Sequence, residues 1–220
     1  MLARTHRVIA PEQQGHGHTA DIDRPFSFEQ MADDSAELLR MLGVTQVDVI
    51  GFSSGGVVAI QFALRHPELV RKLVLCSTIY SRDGLPDAVW KGFEHPDAAQ
   101  MPTVLRDAYL AAAPNPDALQ RMVEKTSAMM RGFSWFSVDT LRGITKPTLV
   151  MSGDADISPA HSAELARILP SAQLAILPDS GHGTYLGAAE GAKPGSVLPD
   201  IAVTLIETFL AQRGLPFASG

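Results

Sequence analysis

Residues 47–66, VDVIGFSSGGVVAIQFALRH, constrain the fold more than any other stretch of this chain. The segment opens as a strand, because Val47, Val49 and Ile50 are β-branched and form a short apolar run of the kind buried in a sheet. It closes as a helix over 57–65, stopped at His66-Pro67, since proline disfavours helical geometry in the residue before it. Between the two lies Gly51-Phe52-Ser53-Ser54-Gly55, a G-x-S-x-G pattern. Such a strand-to-helix turn is so sharp that its central residue is strained and pushed out at the C-terminal edge of the sheet. A Cβ at either flanking glycine is expected to collide with the folded backbone. Ser53 then stands above a helix N-terminus, where unpaired N–H groups and a partial positive charge favour an anion. The N–H of Ser54 is the expected oxyanion donor. Five residues of this kind could form a plain connecting loop, but a strand before and a helix after are the context that nucleophilic chemistry requires.

Around this unit, strands and helices alternate. Residues 7–10 read as a short buried strand stopped by Pro11, followed by the turn Gln14-Gly15-His16-Gly17-His18. His16, His18, Asp21 and Asp23 lie close in sequence, but a glycine-rich turn fixes no ligand geometry, and no metal is expected there. Ser27-x-x-Gln30 opens a helix to about Leu42, ended by Gly43. Asp33 and Asp34 in its first turns read as a solvated pair, favourable to the helix dipole. Residues 72–76 (KLVLC), 147–152 (PTLVMS) and 172–177 (AQLAIL) read as further strands, with helices over 159–169 and 197–211. This alternation predicts an α/β protein with a mostly parallel sheet and helices on both faces.

Residues 81–146 break the pattern. They hold many prolines, no convincing strand, and helical stretches such as 116–130. They read as a helical cap inserted into a discontinuous core made of residues 1–80 and 147–220. Trp90, Phe93, Met129, Met130, Trp135 and Phe136 concentrate in this segment and are the candidate lining of a substrate pocket.

The net charge is −6 with no basic run, which argues against nucleic acid or an anionic membrane surface as a partner. The single cysteine, Cys76, lies in an apolar run and reads as a buried inert thiol. No apolar run is long enough to span a bilayer, and MLARTHRVIAPE lacks the h-region of a signal peptide, so a cytoplasmic protein is expected.

In chain order, strand ends carry Ser53, then the turn Gly153-Asp154-Ala155-Asp156, then His182 in the loop PDSGHG. Loops at the C-terminal ends of parallel strands share one sheet edge, so these distant residues can meet. A serine hydroxyl needs a base to remove its proton, a histidine serves as that base, and a buried carboxylate orients the histidine. With RVIAPEQQGHGHT, GFSSGG, PTLVMSGDAD and PDSGHG in place, nearly the whole chain resembles the α/β-hydrolase superfamily. The resemblance implies Ser53 as nucleophile, Asp156 as acid (selected over Asp154 because the family's acid stands three residues after a glycine) and His182 as base. It implies a structural role for His16. Glu12 and Gln14 depart from the aspartate and arginine usual in that segment.

The resemblance also implies strands upstream of this chain's first residue, one of them ending in a His-Gly loop that supplies a second oxyanion donor. Their absence predicts an N-terminally incomplete core, a gap beside the strand at 47–50, and an oxyanion hole reduced to Ser54. Losing one such donor costs roughly 10²–10³ in rate. The implied activity is cleavage of a small, mostly apolar ester, lactone or related acyl compound through an acyl-enzyme, with no metal or organic cofactor. Perhydrolase or haloperoxidase-like chemistry and carbon–carbon bond hydrolysis use the same triad and stay open, as does an inactive ligand-binding scaffold. A small acyl molecule is the expected partner, and a homo-oligomer is compatible with the sequence.

Overall fold

The computed structural model describes residues 2–156, 158–187 and 194–212. Among them are four strands, β1 (Val47–Phe52), β2 (Val70–Cys76), β3 (Thr148–Gly153) and β4 (Ala172–Leu177), in the order β1-β2-β3-β4. All three pairings are parallel. The helices are α1 (Phe28–Met41), α2 (Ser54–Arg65), α3 (Asp87–Glu94), α4 (Thr103–Ala112), α5 (Leu119–Gly132), α6 (Val138–Arg142), α7 (Pro159–Ile168) and α8 (Leu198–Ala211).

The inner strands are apolar on both sides because both sides are covered. Leu73, Leu75 and Val150 pack with Phe28, Ala36, Ile60 and Leu165 of α1, α2 and α7. Their sequence neighbours Val74, Cys76, Leu149 and Met151 point the other way and pack with Ile206 and Phe209 of α8. Period-two alternation therefore feeds two layers at once, and the strand reads as an unbroken hydrophobic run. Burial pushes the Cys76 thiol up to about 12, so it remains protonated and inert. Lys72, buried on β2, donates from Nζ to the carbonyls of Phe209 and Gln212, both at 2.6 Å. It satisfies carbonyls left open at the C-terminus of α8 and ties that helix to the sheet.

Helix α1 starts where its capping signal stands. Ser27 accepts from the Gln30 N–H at 3.1 Å, but the Gln30 side chain turns forward to Asp34 at 2.8 Å and does not close a reciprocal box. Asp33 and Asp34 are not simply solvated. Asp33 takes Arg65 and His66 of the α2 end, and Asp34 takes Arg24.

The strand expected at residues 7–10 does not form. Val8 is 54% exposed, and only Ile9 packs against the core. A short, mostly apolar run needs a neighbouring ladder to become a strand, and this segment does not pair with β1. Among the described residues β1 is a sheet edge, with Ile50 41% exposed. Between β2 and β3 the described residues are helical, carrying α3 to α6 and no strand. Among the described residues no helix is long and apolar enough to cross a membrane.

Candidate active site

The turn between β1 and α2 puts Ser53 at φ 53°, ψ −124°, a conformation costly for a residue with a Cβ. Three hydrogen bonds hold it there. The Ser53 N–H donates to the Cys76 carbonyl at 2.9 Å. The Ser53 carbonyl accepts from the Thr78 hydroxyl at 2.8 Å and from the Gly56 N–H at 2.9 Å. Gly51 is required by contact, since a Cβ there would lie 2.4 Å from the Gly55 carbonyl oxygen. Gly55 is not: a Cβ there would meet nothing within 4 Å. The second crowded position is Gly56, outside the five-residue pattern, where a Cβ would lie 2.3 Å from the Thr78 hydroxyl. Ser54 is exposed and opens α2, so it stands at that helix's positive end.

The loops after β3 and β4 are locked to each other by backbone. A Cβ on Gly153 would lie 1.8 Å from the Ser180 carbonyl oxygen. That oxygen accepts from the Ala155 N–H at 3.0 Å. Asp154 accepts from the Ser180 N–H at 3.1 Å, which helps hold its carboxyl below the ordinary range. Asp154 thus ties the two loops and leaves Asp156 to face the histidine. His182 Nδ1 lies 2.9 Å from Asp156 Oδ1, and His182 Nε2 lies 3.0 Å from Ser53 Oγ. A carboxylate only accepts, so Nδ1 carries the proton and Nε2 offers its lone pair to Ser53. The Asp156 side chain is 3% exposed and that of His182 28% exposed. The charge is shielded while the base remains reachable. Phe52 lies against the imidazole at 4.9 Å between ring centroids.

The other histidines lie elsewhere. His161 is buried in α7, stacked on Tyr80 at 4.1 Å, and its Nε2 accepts from the Tyr80 N–H at 3.2 Å. His16 Nδ1 lies 2.9 Å from the Gln14 carbonyl oxygen and the ring packs near Phe26. His18 pairs with Glu12, and Asp21 with Lys125. Of the candidate pocket residues, Trp90, Met130 and Phe136 are buried in the larger core, with Phe93, Met129 and Trp135 packed against it. Among the described residues the aromatic neighbours of Trp90, Phe93, Trp135 and Phe136 are one another and Phe133, and the Arg82 guanidinium lies over the Trp90 ring. The structure therefore gathers Ser53, Asp156 and His182, while the six cap side chains pack into or against the larger core.

Sequence reasoning gave no role at this edge to four residues: Gly56, Ser77, Thr78 and Tyr185. A signal for two of them was present. Ser77-Thr78 directly follows β2, whose last residue Cys76 is in register with Phe52, so a polar pair had to lie beside the turn.

The alpha/beta hydrolase family model matches residues 1–192. A poly(3-hydroxyalkanoate) depolymerase of Ectopseudomonas oleovorans is 32% identical, over 85% of this chain and 72% of its own length. A 2-hydroxymuconate semialdehyde hydrolase of Pseudomonas putida is 29% identical, over 96% of this chain and 79% of its own. Among solved structures, a thermophilic esterase of Thermogutta terrifontis superposes with a TM-score of 0.68 at 25% identity, covering 94% of this chain and 82% of the other. A 2-hydroxy-6-oxo-6-phenylhexa-2,4-dienoate hydrolase of Rhodococcus sp. strain RHA1 gives 0.71 at 19% identity, covering 96% and 82%, a likeness of fold. The chain belongs to the alpha/beta hydrolase family and is an enzyme of the hydrolase type.

Proposed function

We propose that this chain is a serine hydrolase that cleaves a small, mostly apolar ester or lactone through an acyl-enzyme. The observation that supports it is the unbroken chain from Ser53 Oγ through His182 to Asp156, with contacts of 3.0 and 2.9 Å. Ser53 Oγ attacks the acyl carbon while His182 Nε2 takes its proton. The oxyanion forms beside the Ser54 N–H at the start of α2. His182 then protonates the leaving alkoxide, and the carbonyl re-forms as an ester of Ser53. A water molecule repeats the attack, again losing its proton to His182, which then returns it to Ser53 Oγ as the acid is released. Asp156 stays ionised throughout and stabilises the imidazolium. Residues 81–146, as a cap, supply the apolar surroundings that select the acyl group.

A second reading, carbon–carbon bond hydrolysis by the same residues, is favoured by the Pseudomonas putida relative, which aligns with 96% of this chain.

A fluorophosphonate probe tests the nucleophile. Labelling is expected on Ser53 and absent in Ser53→Ala, with aryl-ester turnover falling by about 10⁶ in that variant. An unlabelled wild-type chain, or a label retained in Ser53→Ala, overturns the reading. Turnover of aryl esters and lactones against a ring-cleavage diketone separates the two substrate classes.

A further inference from the structure

We infer that Ser77 is a positioning residue for Asp156, completing a buried line of hydroxyl donors that aims the carboxylate at His182. The inference rests on the assignment of Asp156 as the acid of the site. Asp156 has two oxygens, and His182 uses only Oδ1. Oδ2 accepts a short hydrogen bond from the Ser77 hydroxyl and a second, at 3.2 Å, from the Ser152 hydroxyl. Ser152 divides its single proton between Oδ2 and the Gly153 carbonyl, also at 3.2 Å. Among the described residues Ser77 has no such competing acceptor. Among the described residues its other hydroxyl partner is Tyr185, whose OH lies 2.9 Å from Ser77 Oγ. Because the carboxylate cannot donate, the Ser77 proton goes to Asp156, and Tyr185 must be the donor to Ser77. Tyr185 is completely buried, and the Met151 carbonyl at 3.2 Å is its alternative acceptor. Burial and the neighbouring Cys76 push the phenol well above its ordinary range, so it keeps its proton and its donor role.

The backbone at Ser77 supports the same conclusion. Ser77 lies at φ 47°, in the left-handed region, and is 8% exposed. Its N–H is held by the Met151 carbonyl at 2.8 Å. Glycine would occupy this position without strain. A serine there adds nothing to the apolar core. What it adds is a donor on the far oxygen of the acid, at the end of the strand between the nucleophile's strand and the acid's strand.

Ser77→Gly removes that donor and relieves the backbone. A downfield proton resonance from His182 Nδ1–H, identified by its loss in Asp156→Asn, reports the contact without reference to turnover. It is expected to move upfield or broaden in Ser77→Gly. In the same variant kcat should fall roughly 10–100-fold with KM little changed, and the acid limb of the kcat/KM profile should shift. An unchanged resonance together with an unchanged pH profile overturns the inference. Tyr185→Phe, which keeps the buried ring and deletes only its hydroxyl, should give the same shifts at smaller size. If Ser77→Gly does not fold, Tyr185→Phe decides, and a wild-type resonance in it overturns the inference. Failure of the hydrolase reading looks different: the wild-type chain then goes unlabelled by fluorophosphonate whatever the resonance does.

Discussion

The sheet edge that carries Ser53 and the helical segment between β2 and β3 are held together by different means. At the edge the contacts are backbone contacts. Gly51 and Gly153 face carbonyl oxygens at distances that admit no Cβ. All three described non-glycine residues with positive φ, Ser53, Ser77 and Asp179, stand just past the ends of β1, β2 and β4. In residues 81–146 no described residue has positive φ. There Trp90, Phe133, Trp135 and Phe136 meet edge to face at 5.1–5.8 Å, and the Trp90 indole donates to the Arg82 carbonyl at 2.9 Å. Chemistry that needs fixed geometry is built where nothing can shift. The helical segment is instead held by side-chain packing, which can be rearranged.

The first way to break this contrast is Trp90→Ala. Truncating a buried aromatic costs about 3–5 kcal/mol, and Trp90 is 3% exposed within the core. A large drop in melting temperature is expected, while fluorophosphonate labelling of Ser53 in the folded protein persists at a similar rate. Loss of labelling at temperatures where the variant remains folded would mean that the two regions are one unit.

A smaller and sharper test lies inside the turn. Gly51→Ala must displace the Gly55 carbonyl or α2 and is expected to cost about 1–3 kcal/mol and to abolish most labelling. Gly55→Ala has open space and sits in the first turn of α2, so it is expected to be neutral or stabilising by about 0.5–1 kcal/mol. The two variants differ by position alone, and denaturant midpoints with labelling rates compare them directly. Equal effects would show that the pattern's glycines act through flexibility and not through contact.

Much of the site edge was legible because its signals are local. A β-branched run, a tight turn and an apolar helix follow one another within residues 47–66, and each element obeys its own periodicity. The inner strands were legible because burial on both faces leaves no polar residue to interrupt Leu73-Val74-Leu75-Cys76. What was not legible depends on distant partners. Residues 7–10 have the composition of a strand, but a strand is defined by its neighbour's ladder, and β1 does not supply one. The direction in which Trp90 or Met130 faces depends on how α3 and α5 dock, which spacing along one helix does not encode. Ser77 looks like any polar residue after a strand. Its place against Asp156 comes from the pairing of β2 with β3 and from a contact 79 positions along the chain.

The smallest expected effect concerns how α2, and with it the Ser53 turn, is anchored to α1. Asp33 accepts from Arg65 Nε at 2.8 Å and Nη2 at 2.6 Å, and lies 2.7 Å from His66 Nε2. A two-pronged guanidinium contact is the geometry that makes a partly exposed ion pair count. The Arg65 hydrogen bonds, opposed by partial burial and helped by His66, bring the Asp33 carboxyl down to about 2. A carboxyl depressed in the folded state binds fewer protons there than in the unfolded chain. Its stabilisation is therefore complete above the ordinary value of 3.8 and drains away as pH falls towards 2. With the pair's side chains 32% and 42% exposed, solvent screening limits the contribution to about 1 kcal/mol. Asp33→Asn should lower stability by about that amount at neutral pH and flatten the loss between pH 4 and pH 2. Ser53 labelling at neutral pH should be unchanged, because the contact lies at the opposite end of α2 from the turn. Stability curves of wild type and variant that run parallel down to pH 2 would show that another group carries the acid sensitivity. A drop in labelling would show that the C-terminal end of α2 also sets the geometry at its N-terminus, and the contrast between a rigid edge and an adaptable remainder would have to be redrawn to include α1.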